Sequence, residues 1–223
     1  LDNPTMIKTT TILLTLTYSL FAHDMWIDDS FRLFYGHIDK KSSHGDEKEI
    51  TKDGMLQNSC LKDGKIFAVT NEMQKNECDA LFVLLPKAYY TKTPYGTLSK
   101  PKDSVKMPLK SFQSVESIKR VYSDKGDKLF KNGLELTLIN KLSEIEKGDK
   151  ARLFVSFNGK PQKGVTLAYG DRVVGASDEE GHINVRIREL GLQNIKASFT
   201  LKGDGVKCDE IIHSTTLNIE IKR

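Results

Sequence analysis

No run in this 223-residue chain is long and apolar enough to span a membrane as a helix, which takes about 20 such residues. The nearest approach, Thr11 to Phe21, is short and interrupted by Thr15, Thr17 and Tyr18. A basic stripe is also missing. The 34 Lys and Arg face 30 Asp and Glu for a net charge of +4, and lysines sit among acids, as Lys40-Lys41 does near Asp46-Glu47. A nucleic-acid binder would concentrate its charge, so the surface reads as solvated with no nucleic-acid partner. No nucleophile elbow, phosphate-cradling loop, dinucleotide fingerprint or zinc-protease helix occurs, which argues against the common enzyme classes. The three cysteines match no zinc-finger spacing.

What is present begins with an export signal. Met6-Ile7-Lys8 supplies a start and a positive region, Thr11 to Phe21 the apolar stretch, and Ser19-Leu20-Phe21-Ala22 a small residue at the cleavage point. Leu1 to Thr5 precede that start. Residues 1–22 therefore read as upstream residues plus signal peptide, leaving an exported protein with no stable membrane anchor after cleavage. Cutting after Ala22 makes His23 the first residue of the exported chain. A terminal histidine carries a free α-amine and an imidazole on one residue, a chelating pair.

In an exported chain, cysteines invite a disulfide. Cys60 and Cys78 flank Leu61-Lys62-Asp63-Gly64-Lys65-Ile66, a turn signal between apolar residues, which suggests a hairpin whose outer ends meet. A Cys60–Cys78 bridge would contribute about 3 kcal/mol in the chain-entropy model. Cys208 is left over, as a buried thiol or a soft metal ligand.

The pattern is strand-like throughout. From residue 151 on, short segments separated by Gly and Asp turns follow one another: 151–157, Val165 to Tyr169, Arg172 to Ala176, His182 to Ile187, Ile195 to Leu201, Val206 to Ile212 and Thr215 to Ile221. About seven such strands argue an antiparallel sandwich. The earlier part is less regular, with strands expected at Met25–Asp28, Phe31–Tyr35, Lys65–Thr70, Ala80–Leu84 and Leu134–Ile139. Ser114 to Tyr122 reads as a short helix, with Ser114 and Glu116 near its start and basic residues toward its end. Tyr89 to Gly96 reads either as a loop packing its tyrosines over a sheet edge or as a binding lip. The polar segment Leu142 to Lys150 marks a boundary, which divides the exported chain into 23–141 and 142–223. The fold class is all-β, with two sandwich-like domains.

His23, His37 and His44 are three of five histidines and fall within 22 residues. A reversal at Asp29-Ser30 between the first two strands would set Gly36-His37 across from His23, with His44 in a loop able to fold back. By itself, His37 reads as a strand-end histidine bonded to backbone and His44 as a solvated loop residue. Their coincidence with a terminal histidine shifts the balance. Two imidazoles plus the imidazole and amine of His23 make four nitrogen donors, a set suited to Ni(II), Cu(II), Zn(II) or Co(II). Asp24 is a carboxylate orienting a ligand, a ligand itself, or a solvated strand residue. His182 and His213 read as structural.

Ala22-His23-Asp24-Met25-Trp26-Ile27, Tyr35-Gly36-His37 and Ser43-His44-Gly45 resemble the start of the DUF4198 family, periplasmic components associated with nickel and cobalt uptake, including the NikK-type accessory proteins of energy-coupling-factor transporters. Lys147-Gly148-Asp149, Asn158-Gly159-Lys160-Pro161, Ser177-Asp178-Glu179-Glu180-Gly181 and Ser214-Thr215-Thr216-Leu217 look like that family's immunoglobulin-like or transthyretin-like C-terminal module. The resemblance covers essentially the whole exported chain, although Met25 stands where the family often has Phe. It implies a non-enzymatic periplasmic protein that holds nickel or cobalt through His23, with His37 and His44, and serves membrane metal-transporter components. Two other functions compete. One is a histidine-brace copper oxygenase, which needs a flat aromatic face around its metal. The other is an adhesive sandwich with no metal.

Overall fold

The computed structural model describes residues 24–36, 47–51, 54–69, 77–170 and 172–223. Among them nearly all the regular secondary structure is strand, as the sequence predicts. No helix among the described residues is long and apolar enough to cross a membrane.

Three sheets stack. The first is a meander of β1 (Asp24–Ile27), β2 (Leu33–Gly36) and β3 (Lys48–Ile50). The second is a ten-stranded sheet. Its strands are β4 (Gln57–Lys62), β5 (Lys65–Ala68), β6 (Ala80–Leu84), β7 (Ala88–Thr93), β8 (Gly96–Leu98) and β9 (Lys110–Val121). They are joined there by β13 (Thr166–Tyr169), β14 (Arg172–Ala176), β16 (Gly191–Lys202) and β17 (Glu210–Ile221). The third holds β10 (Leu134–Leu138), β11 (Lys150–Phe157), β12 (Lys160–Pro161) and β15 (His182–Arg186).

Alternation along the central strands explains the layering, because successive side chains of a strand point to opposite faces. In β6, Ala80, Phe82 and Leu84 join the large core with Leu134, Leu136, Leu153 and Val155 of the third sheet. Leu81 and Val83 turn the other way, onto Met25, Ile27 and Leu33 of the first. The central sheet is continuous because β9 and β17 pair in parallel, Phe112 with Glu210 through Arg120 with Asn218. Strand pairing also crosses residues 142–150, since β10 before that segment pairs with β11 after it.

The helix expected at Ser114 to Tyr122 is instead strand as far as Val121 and makes up the greater part of β9. Its basic residues are not a solvated helix end but buried groups with distant partners. Lys119 donates to Glu135 at 2.9 Å, to Thr137 at 3.2 Å and to the Lys128 carbonyl at 2.9 Å. Burial pulls its ammonium below the ordinary lysine value, against the opposing charge of Glu135. Arg120 faces the first sheet, donating to the Ile27 carbonyl and to Asp29, each at 3.1 Å.

Two further corrections concern turns. The strand expected at Val206 to Ile212 starts only at Glu210 and continues unbroken through Ile221. Residues before it form a turn, because Asp204 Oδ1 accepts the amides of Val206, Lys207 and Cys208. The Cys60–Cys78 bridge is present, but it does not join the two arms of the β4–β5 hairpin. Phe67 stands opposite Cys60 there, and Cys78 arrives on the other side of β4, in the chain entering β6. The hairpin turn itself is as read, with Asp63 and Gly64 both at positive φ, as a two-residue type I′ turn requires. Cys208 is a buried free thiol. The Tyr89–Gly96 segment is not a loop but most of a β7–β8 hairpin, with Tyr90 stacked on Phe112 of β9.

Candidate functional site

The β1–β2 hairpin is shaped by its loop. Asp28 Oδ1 accepts the amides of Ser30 and Arg32, and Phe31 takes a positive φ to complete the reversal. Register then runs from Ile27↔Leu33 to Asp24↔Gly36. Inward, Met25, Ile27 and Leu33 are buried. Outward, Trp26 and Phe34 stack at 5.6 Å between ring centres.

The hairpin crosses the strands beneath it rather than following them. Ile27 donates its amide to Asn218 of β17 and accepts from Arg120 of β9. Three residues earlier, Asp24 has reached β16, where its Oδ1 accepts from Lys196 at 2.8 Å and Asn194 at 2.9 Å. Asn218 in turn donates to Asn194 at 3.0 Å, so both ends of β1 hang on one polar network. Lys196 and Asn218 are buried. Asp24 is thus no merely solvated strand residue. A lysine removed from water to meet one carboxylate is a costly arrangement, and it fixes Asp24, the first residue of β1.

His23 and His37 are the chain neighbours of the last paired residues, Asp24 and Gly36, and both lie outside the described residues, as does His44. Among the described residues, no three His, Cys, Asp or Glu side chains gather as a metal ion would require. His182 and His213 belong to aromatic packing: His182 lies 5.7 Å from Phe154, and His213 stacks on Phe199 at 5.2 Å and meets Phe157 edge-on at 4.7 Å.

One group near the hairpin escaped the sequence reading. Glu116, on the hairpin side of β9, accepts from the Ser114 hydroxyl at 2.6 Å and has no ion pair among the described residues. It lines a cavity of about 210 Å3 with Ser114, Tyr90 and Ile50. Burial raises the Tyr35 phenol above its ordinary value, and the charges of Glu116 and Tyr90 add to the shift. Glu116 thus sets one carboxylate beside the phenols of Tyr35 and Tyr90. Read as part of a helix, Glu116 carried no such signal; a strand reading of 114–121 would have set it on the same face as Ile118 and Arg120.

A second cavity, of about 420 Å3, opens where β9 and β17 end, and its walls include Arg120, Tyr122, Asp124, Ser143 and Glu220. Its acids are already engaged. The Ser143 hydroxyl and amide hold Asp124 below the usual carboxylate range, and Glu220 accepts from Arg120 at 3.4 Å.

The Cys60–Cys78 disulfide, with Cys60 fully buried and Cys78 nearly so, is a feature of proteins that fold in an oxidising compartment. No family model, curated protein or solved structure matches the chain.

Proposed function

We propose that this is an exported, periplasmic metal-binding protein that captures Ni(II), or Co(II), and assists its uptake by a membrane transporter. It acts as a carrier rather than an enzyme. The donors are the α-amine and imidazole of His23 with the imidazoles of His37 and His44. The reading rests first on the sequence: a cleavage site that exposes His23, and the resemblance of its surroundings to metal-uptake components. Its structural support is one observation. Asp24, next to His23, is pinned by Lys196 and Asn194 and paired with Gly36, next to His37. A chelating terminus on an anchored strand loses less freedom on binding than one on a loose tail.

Calorimetric titration of Ni(II) into the chain beginning at His23 tests this. His23→Ala, His37→Ala and His44→Ala should each lower affinity at least ten-fold, while His182→Ala and His213→Ala should leave it unchanged. Unaltered affinity in the His37→Ala/His44→Ala double variant would refute the three-histidine site.

The Trp26–Phe34 stack on the outer face of the hairpin gives the copper-oxygenase alternative its one favourable observation. Peroxide-driven turnover with copper, absent with nickel, would move that reading ahead.

A further inference from the structure

Within an otherwise mixed charge distribution, one segment stands apart. Residues 87–110 hold Lys87, Lys92, Lys100, Lys102, Lys106 and Lys110 against the single Asp103, an excess larger than the net +4 of the whole chain. The structure gathers most of that segment at one end of the central sheet. The β7–β8 hairpin projects there, and Thr91 ties to the Lys100 carbonyl at 2.8 Å. The Lys102 amide meets the Lys207 carbonyl at 2.8 Å, which joins the loop before β9 to the loop before β17.

The acids near these loops are turned to structural use. Asp209 accepts from Lys102 at 2.5 Å and from the Ser111 hydroxyl at 2.8 Å, Glu210 pairs with Lys110, and Asp204 holds turn amides. Lys100, Lys106 and Lys207 are exposed and have no ion pair among the described residues. Between them stand large apolar side chains in water: Tyr95 is 88% exposed, Leu109 68%, Val206 62% and Met107 61%. Pro94, Pro101 and Pro108 restrict the backbone of these loops.

We propose that this end of the protein docks reversibly on an anionic membrane surface. The lysines would meet lipid phosphates, and Tyr95, Met107, Leu109 and Val206 would enter the boundary between headgroups and acyl chains. Three features favour lipid over other partners. The apolar groups sit on projecting loop tips, which reach into a fluid interface but cannot form the flat, packed centre of a protein interface, where lysine is depleted. Only Tyr95 among the tips can stack on a base, whereas Met107, Leu109 and Val206 offer nothing to a nucleic acid, which is gripped by charge and stacking. Lysines around an apolar tip can lay their stems along it and hold their ammonium groups at headgroup level. The proposal is independent of which metal, if any, the protein carries.

Co-sedimentation of the chain beginning at His23 with phosphatidylcholine vesicles, with and without one-third phosphatidylglycerol, provides the test. Binding should need the anionic lipid and weaken with salt. The Lys100→Gln/Lys106→Gln/Lys207→Gln variant should bind about a hundred-fold more weakly, at the usual contribution per lysine. Tyr95→Ser/Leu109→Ser should lose the part of binding that survives high salt. All substituted residues are exposed, so thermal melts of the variants should match the parent and certify folding. Equal binding to neutral vesicles, no vesicle binding, or a lysine variant that binds as the parent does would each overturn the proposal. So would a preference for a single-stranded oligonucleotide over vesicles.

Discussion

Lys196 donates its buried ammonium to Asp24 Oδ1 at 2.8 Å, joining β16 to a strand 172 residues earlier in the chain. The carboxylate keeps some contact with water, its side chain being 24% exposed. The cost of breaking the pair therefore falls below that of a fully buried one. Lys196→Met should destabilise the protein by about 2 kcal/mol, against the 3–5 kcal/mol typical of fully buried pairs. It should also weaken Ni(II) binding, because the strand carrying the terminus loses its tether. Lys196→Arg should restore part of both. Denaturant melts alongside metal titrations read the two effects separately.

The Lys119–Glu135 pair is a sterner case, with both side chains at 1% exposure or less. Glu135 also accepts the amides of Phe130 and Lys131, so it holds a turn as well as a charge. Lys119→Met alone should cost about 3–5 kcal/mol by stranding the carboxylate. Adding Glu135→Gln should recover much of that loss, since a neutral amide oxygen still accepts the turn amides. Urea denaturation of the two single variants and the double variant gives the coupling directly.

His213 predicts a pH effect of definite sign. Burial, with Lys87 adding, holds its imidazole below the ordinary value, and its Nδ1 is buried without a hydrogen-bond partner among the described residues. The unfolded chain then binds a proton more readily than the folded one. Stability should fall as pH drops through about 6.5 and level off once the folded-state value is passed. Melting temperatures from pH 8 to pH 5 should show the decline, and His213→Phe, lodged between Phe157 and Phe199, should reduce it. A melting temperature indifferent to pH over that range would contradict the assignment.

Reduction of Cys60–Cys78 should cost about 3 kcal/mol, as expected for a closed loop of this length. Cys208, at 3% exposure, should resist maleimide in the folded protein and react on unfolding. Mass mapping without reductant identifies the bridge, and any bridge through Cys208 would contradict the placement of Cys78 beside β4.

What the sequence made legible follows from where each strand finds its partners. Ala80–Leu84 and Arg172–Ala176 appear with the expected limits, because apolar or alternating runs bounded by turn residues carry their own signal. Ser114 to Tyr122 did not, because its charges mimic the ends of a helix. What makes them tolerable in a central strand is Glu135 and Asp29, which no local pattern reveals. The site divides in the same way. The reversal between β1 and β2 was legible, but its length was not: Phe31, read as the start of a strand, lies in the loop that Asp28 holds, which sets Asp24 across from Gly36. The clamp on Asp24 comes from β16, and Glu116 approaches Tyr35 only through the stacking of two sheets.

The most direct measurement of the central claim compares two forms of the protein in one Ni(II) titration at pH 7.5. One begins at His23, as the proposed signal cleavage would leave it, and the other carries an additional N-terminal methionine. The amine ordinarily titrates near 7.7–8.0 and the imidazoles near 6.5, so binding through them must release protons and weaken on acidification. The account predicts at least a hundred-fold tighter binding by the His23 form, with more than one proton released per ion across buffers of different ionisation enthalpy. Equal affinities in the two forms, or binding without proton release, would contradict it.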